Sequence, residues 1–170
     1  MTPERAAYHV LMLSQGFWED FDRDFSDALD REDPLSPLTL ELTDVASDVN
    51  GAIAVLLRYC WEHTPDLEIV YDLVWSDLCR RYRSGSLTDE ALCNLCWRLA
   101  EFAEEQWEAD WDDFRTFSYC YEEYMDALRD PCYLQCRELF LAQHHGLSAA
   151  MRQAPEKKTL FQRILEFFHH

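Results

Sequence analysis

Four times along this chain, a residue that can cap a helix is followed directly by proline, just before a run of apolar residues spaced three or four apart. The four pairs are Thr2-Pro3, Ser36-Pro37, Thr64-Pro65 and Asp130-Pro131. The capping oxygen accepts from the free N–H groups of a helix start, and the fixed φ of proline suits the first helical position. Thr88 and Pro155 mark two further starts. The pattern predicts an all-α chain of about six helices.

The spacing of apolar residues also predicts how the helices divide. Glycine and proline are scarce, at 4 and 6 residues, which disfavours a many-stranded β architecture. Residues 38–60 carry one continuous apolar stripe, and residues 10–29 carry another that Gly16 can divide. The run from Thr88 to Asp130 would be about 64 Å long as one helix, so we predict a break near residues 110–116. We expect a single domain over residues 1–170, folded as a compact antiparallel helical bundle.

The charge of the chain is strongly negative and unevenly placed. The net charge is −18, yet 48% of the residues are hydrophobic, which is too apolar for a disordered chain. Residues 1–126 hold 29 acids against 9 bases, a net −20, whereas residues 127–170 hold 4 against 6, a net +2. This balance disfavours direct binding to nucleic acid. The segment from Lys157 to Phe168 is amphipathic, and we expect it to close the bundle; the alternatives are that it lies on an anionic membrane or docks a partner.

Other features predict the compartment. The longest apolar run, Ala52–Leu57, is too short to cross a bilayer, and the N-terminus does not resemble a signal peptide. The seven cysteines fall mostly on predicted helices, which favours free thiols over a disulfide framework. We therefore expect a cytoplasmic protein that does not bind a membrane.

The densest acidic cluster holds ten acids in the 26 residues from Glu101 to Asp126, with Arg115 as the only base among them. With Trp111, the predicted partner-binding residues are Glu101, Glu104, Glu105, Glu108, Asp110, Asp112, Asp113, Glu122, Glu123 and Asp126. Like charges three or four residues apart destabilise a helix. Carboxylates on successive turns lie about 5–6 Å apart, comparable to phosphates along a DNA strand. Two interpretations stand: a docking face for a basic partner, or a solvated helix face over an aromatic core.

Aromatic residues interleave with this cluster and are the side-chain type that anchors protein interfaces. They are Trp107, Trp111, Phe114, Tyr119 and Tyr121. A second acidic stretch has the same two interpretations, and it comprises Glu19, Asp20, Asp22, Asp24, Asp27, Asp30, Glu32 and Asp33.

Some of the same carboxylates allow a catalytic hypothesis. Glu104-Glu105-x-x-Glu108 followed by Glu123-x-x-Asp126 resembles the EExxE and ExxD pattern of MazG-like nucleotide pyrophosphatases. The resemblance implies that carboxylates on two antiparallel helices hold Mg²⁺ against a triphosphate.

The cysteines and the common motifs offer little further chemistry. Cys93-x-x-Cys96 and Cys132-x-x-x-Cys136 offer four thiolates for zinc, but their helical setting favours small buried side chains. Phosphate-loop, dinucleotide and serine-hydrolase motifs are absent, so we expect no cofactor.

The sequence thus favours a non-enzymatic inhibitor of the immunity-protein or anti-defence kind. As a nucleic-acid mimic, its acidic face would block the basic surface of a nuclease, toxin or other nucleic-acid-binding protein. The alternatives are the magnesium-dependent pyrophosphatase and an oligomeric scaffold element.

Overall fold

The computed structural model describes residues 1–45 and 47–119, and helices form most of this part of the chain. The first six helices are α1 (Pro3–Ser14), α2 (Glu19–Arg31), α3 (Pro37–Asp44), α4 (Val49–His63), α5 (Leu67–Arg83) and α6 (Asp89–Trp107). A seventh, α7, spans residues 112–119, where the described part of the chain stops. No strand occurs within the described ranges, and the predicted all-α fold is confirmed.

Three of the predicted helix starts are confirmed by side-chain caps. The hydroxyl oxygens of Thr2, Ser36 and Thr88 each accept from the backbone N–H three residues later, at 3.2, 3.3 and 3.2 Å. Proline follows the first two caps, as the pattern predicted. The starts at Asp130 and Pro155 lie outside the described residues.

The predicted start at Thr64-Pro65 is wrong by two residues. The N–H of Thr64 still bonds the carbonyl of Cys60 at 2.8 Å, so Thr64 ends α4, with a φ of 42°. The side chain of Asp66 instead accepts from the N–H of Glu68 at 3.0 Å and caps α5. The carboxylate of Asp66, which is closer to the helix, therefore takes the capping role in place of the hydroxyl of Thr64.

The apolar stripe over residues 38–60 belongs to two helices. α3 ends at Asp44, where the N–H of Val45 turns back to the carbonyl of Leu42 at 3.2 Å. Asp48 then accepts from the N–H of Asn50 at 3.0 Å and starts α4. By contrast, the division at Gly16 is as predicted, since this glycine has a φ of 82° between α1 and α2.

The chain divides into two units, Met1–Arg83 and Ser84–His170. In the first unit α1 is the central helix, packed against α4 and α5 and also touching α2. Every residue from Ala6 to Leu13 is buried, as expected for a helix enclosed on all sides. None of the helices within the described ranges has the length and apolar character needed to cross a lipid bilayer.

In the second unit, the long run from Thr88 is interrupted at residues 108–111. The predicted break is confirmed, and it begins two residues before the predicted range of 110–116. Glu108 ends α6 in the left-handed conformation, with a φ of 55°. Because no glycine or proline stands here, no local pattern marks the position of the break. That residues 1–170 form a single domain stays a prediction.

Candidate partner-binding surface

Seven carboxylates at the end of α6, in the break and at the start of α7 are all exposed to solvent. We call this group the acidic face, and it comprises Glu101, Glu104, Glu105, Glu108, Asp110, Asp112 and Asp113. Its four glutamates have the spacing i, i+3, i+4 and i+7, which places them on one side of a helix. The face is therefore a continuous surface feature over about two helical turns and the residues that follow.

The buried side of α6 fixes the direction of these glutamates. Leu92, Cys96, Leu99 and Ala103 are at most 3% exposed and form one stripe along the helix. At 100° per residue this stripe lies opposite the glutamates, so burying it turns the acidic face to solvent.

The position of the glutamates is costly for α6. Glu104, Glu105 and Glu108 lie at its C-terminal end, where the helix dipole disfavours negative charge, and the last turn of α6 contains no base. The same glutamates repel one another at three- and four-residue spacing. Asp112 and Asp113 start α7, where negative charge is favourable. The glutamates of the acidic face therefore destabilise α6.

The acidic face is almost free of compensating charge within residues 84–119. The single ion pair within these residues joins Arg115 to Glu104. Arg98 and Arg115 are the only bases among residues 84–119, against nine acids. A concentrated negative potential at the surface of this segment follows.

The aromatic residues near the acidic face do not all serve as exposed anchors. Trp111 is 5% exposed and Phe114 is 1% exposed, and their rings meet edge to face with centroids 5.3 Å apart. The rings of Trp111 and Phe114 therefore belong to the core, and the prediction that Trp111 takes part in partner binding stays a prediction. Tyr119 is 51% exposed, while the indole N–H of Trp107 is buried with no acceptor among the described residues.

Part of the predicted site lies outside the described residues. Glu122, Glu123 and Asp126 belong to this part, as do Tyr121, Cys132 and Cys136. Within residues 1–45 and 47–119, no three His, Cys, Asp or Glu side chains form a group that could hold a metal ion. The magnesium hypothesis places two of its five carboxylates, Glu123 and Asp126, beyond that range.

The second acidic stretch, on α2, differs because arginines neutralise much of it. Asp20 is 5% exposed, and its carboxylate accepts from the hydroxyl of Tyr8 at 2.9 Å. It also accepts from Nη2 of Arg23 at 2.5 Å and from Nη2 of Arg80 at 2.7 Å. These contacts join α1, α2 and α5 around one buried charge.

Two further buried charges complete this arrangement. Nε of Arg81 donates to Asp77 at 2.6 Å within α5, and Nη2 of Arg81 lies 3.4 Å from Asp20. Asp77 and Arg81 are only 6% and 9% exposed. We call the set the arginine–aspartate network, and it comprises Arg5, Asp20, Arg23, Asp24, Asp77, Arg80 and Arg81.

Two further aspartates of the second acidic stretch are also paired with arginines. Asp24 accepts from Nε of Arg5 at 2.5 Å, and Asp27 pairs with Arg31 one turn later at 3.2 Å. Glu32 accepts from the hydroxyl of Thr39 at 2.7 Å and so supports the start of α3.

The pKa of each buried aspartate reflects these partners. Burial alone would raise the pKa of Asp20, but the hydrogen bonds from Tyr8 and Arg23 and the charge of Arg80 outweigh burial and lower it. The pKa of Asp24 is lowered likewise, because the bond and charge of Arg5 outweigh its burial. Both side chains are thus held as carboxylates.

His9 lies against the same network and is fully buried on α1. Its Nε2 is 3.0 Å from Asp24, and its Nδ1 has no partner among the described residues. Burial, followed by the charge of Arg5, lowers the pKa of His9 to about 4 despite the neighbouring carboxylate. His9 is therefore neutral at pH 7.

The arginine–aspartate network was not predicted from the sequence, although the spacing of some of its residues indicates ion pairs. Asp77 stands three and four residues before Arg80 and Arg81 on a predicted helix, which is the spacing of helical ion pairs. The bond from Arg80 to Asp20 joins residues 60 apart, and no local pattern predicts it. In comparisons with known proteins, no family model, no curated protein and no solved structure matches this chain.

Proposed function

We propose that this protein is a non-enzymatic binding protein whose acidic face occupies the basic surface of a nuclease, toxin or other nucleic-acid-binding protein. The observation that carries the proposal is the set of seven exposed carboxylates between Glu101 and Asp113, compensated within residues 84–119 by one ion pair, Arg115–Glu104.

The placement of charge supports a binding role over a structural one. Carboxylates at the C-terminal end of α6 cost helix stability through the dipole and through mutual repulsion. A basic partner relieves both costs on binding. Electrostatic complementarity of this kind accelerates encounter and selects the partner.

The comparison with α2 restricts the proposed partner-binding surface to the acidic face. Asp20, Asp24 and Asp27 already bond arginines of the first unit. The negative charges of these aspartates are therefore compensated within the chain. The acidic face is the larger group of exposed carboxylates that remain free for a foreign cation within the described residues.

The test compares two variants that each lose four exposed carboxylates. The first carries Glu101→Gln, Glu105→Gln, Asp110→Asn and Asp112→Asn, and leaves Glu104 with Arg115. The matched control carries Asp22→Asn, Asp44→Asn, Glu68→Gln and Asp72→Asn, all exposed residues of the first unit. Both variants have the same net charge, so a general charge effect cancels.

Each protein is immobilised, and partners captured from cells are identified and then purified. We expect a basic nucleic-acid-binding protein that duplex DNA displaces and whose affinity falls steeply as salt rises. The first variant should bind it at least 10-fold more weakly, and the control should bind as the unaltered protein does. Equal binding by both variants, or a partner indifferent to duplex DNA, contradicts the proposal.

A separate assay addresses the resemblance to the nucleotide pyrophosphatases. The protein is incubated with Mg²⁺ and a panel of nucleoside triphosphates, and the products are examined for monophosphate. The proposed function predicts no turnover. Turnover that Glu105→Gln abolishes would replace the binding role with an enzymatic one.

A further inference from the structure

Three arginines from three different helices of the first unit line one cavity of about 340 Å³. They are Arg5 of α1, Arg23 of α2 and Arg80 of α5, and the rest of the lining comprises Tyr8, Asp20, Leu73, Ser76 and Asp77. The lining carries three positive charges against two negative ones, in a chain whose net charge is −18. Asp24 bonds Arg5 from outside the lining, and Arg81 bonds Asp77, so the arginine–aspartate network as a whole holds four arginines against three aspartates in an otherwise acidic protein.

Aspartates hold the three guanidinium groups in place. Arg23 and Arg80 bond opposite oxygens of Asp20, at 2.5 and 2.7 Å, and Arg80 also bonds Asp77. Arg5 bonds Asp24 at 2.5 Å, outside the cavity lining. Asp20 and Asp77 are only 5% and 6% exposed. The arginines are thus positioned before any ligand arrives, which reduces the entropy lost on binding.

Most donors of these arginines remain available. A guanidinium carries five N–H groups, and within the described residues each arginine forms hydrogen bonds through one nitrogen only: Nε of Arg5, Nη2 of Arg23 and Nη2 of Arg80. Nε of Arg23 also lies 3.7 Å from Asp24. The side chains of Arg23 and Arg80 are 58% and 60% exposed. Their unused N–H groups are therefore accessible to a ligand from solvent.

We propose that this cavity binds a dianionic phosphoryl group, either as free phosphate or as a small phosphomonoester. Guanidinium groups match the geometry of phosphate oxygens through paired N–H donors. Three of them around one cavity suit a tetrahedral anion better than a planar carboxylate. The volume is near the lower end for small-molecule sites, and Leu73 with the ring of Tyr8 offers an apolar wall for an organic substituent.

The test follows the side-chain Nε–Hε resonances of the arginines in the full chain by NMR. Inorganic phosphate and phenyl phosphate are titrated at pH 7.5, with sodium chloride at matched ionic strength as the reference. We expect saturable shifts at Arg5, Arg23 and Arg80 with a dissociation constant on the order of 1 mM. Tighter binding of phenyl phosphate identifies a phosphomonoester as the ligand class, and equal or weaker binding identifies free phosphate.

Variants distinguish this site from general attraction to arginine. Arg23→Gln should weaken phosphate binding at least 10-fold, and Arg23→Lys should weaken it less because the charge remains while the paired donors are lost. Arg31→Gln is the matched control, since Arg31 is an exposed α2 arginine that pairs with Asp27 outside the cavity. The amide spectrum of α1 checks that each variant is folded.

Two results overturn the proposal. One is the absence of saturable shifts with either phosphate compound beyond those given by chloride. The other is an equal loss of phosphate binding in Arg31→Gln and Arg23→Gln. Neither result bears on the acidic face, which belongs to a different unit of the chain.

Discussion

The two acidic segments of this protein are similar in sequence and opposite in their use of charge. On α2, Asp20 and Asp24 are bonded by arginines from α1, α2 and α5. On the acidic face, within residues 84–119, Arg115 is the one arginine that pairs with a carboxylate. The density of acids in a sequence therefore does not reveal whether they hold the fold together or remain for a partner. The answer depends on where the few arginines lie in three dimensions.

The largest effect that tests this contrast is expected from Asp20→Asn. The change leaves Arg81, which is 9% exposed, with one aspartate fewer, and it removes the charged acceptor of the buried Tyr8 hydroxyl. Breaking one side of a buried ion pair costs about 3–5 kcal/mol. We expect a loss of this size in the free energy of unfolding of the first unit, measured by hydrogen exchange of the α1 amides.

The matched control is Asp110→Asn on the acidic face, where the carboxylate is exposed. This change should alter the free energy of unfolding by less than about 0.5 kcal/mol. If both changes cost the same, the distinction between structural and available carboxylates fails.

The second effect is a pH dependence that arises from His9 in the first unit. Its folded pKa of about 4 lies below the ordinary value of 6.5, so the unfolded chain binds the extra proton between these values. Stability should therefore be full above pH 6.5 and fall as the pH drops towards 4, by at most about 3 kcal/mol. Below that window Asp20 and Asp24, whose pKa values are lowered, add a further loss as they become protonated.

The measurement is the free energy of unfolding of the first unit between pH 7 and pH 4, compared with that of His9→Gln. Glutamine does not titrate, so the upper part of the curve should become flat even if the variant is less stable throughout. An unchanged slope between pH 6.5 and 4 would show that another group titrates there.

These expectations also show which parts of the molecule were predictable from its sequence. The caps at Thr2, Ser36 and Thr88 were predictable because each bond spans three residues. The start of α5 at Asp66 was missed because two capping side chains stand close together and only one is used. The exposure of the acidic glutamates followed from helical spacing alone.

Properties that depend on distant residues were not predictable. The bond between Arg80 and Asp20 spans 60 positions, and the cavity lined by arginines requires three helices to meet. The sequence left Trp111 open between an interface anchor and an aromatic core, because it is the last residue of the break at 108–111, where helical periodicity does not apply.

A third, smaller effect is expected where α6 ends at Glu108. Its φ of 55° lies in the left-handed region, which disfavours residues with a Cβ atom. Glu108→Gly should therefore raise the free energy of unfolding of the second unit by about 1 kcal/mol. The matched Glu105→Gly lies within the helix and should lower it by a similar amount. Hydrogen exchange of the α6 amides measures both changes, and the same sign for both would contradict the left-handed end at Glu108.

The smallest effect compares two exposed carboxylates that differ only in their surroundings. Asp27→Asn on α2 removes a pair with Arg31 four residues later, at 3.2 Å. It should lower the free energy of unfolding by a few tenths of a kcal/mol. Glu101→Gln on α6 relieves repulsion from Glu104 and Glu105, so it should raise the free energy by a similar amount.

The opposite signs, more than the magnitudes, test whether the charge of each segment is compensated. Because both carboxylates are exposed, 1 M salt should reduce both effects towards zero. A destabilising Glu101→Gln at low salt would mean that this carboxylate already has a favourable partner, and the acidic face would then be compensated within the chain as α2 is. A gain at low salt that disappears at high salt leaves the face as a set of carboxylates whose repulsion a basic partner can relieve.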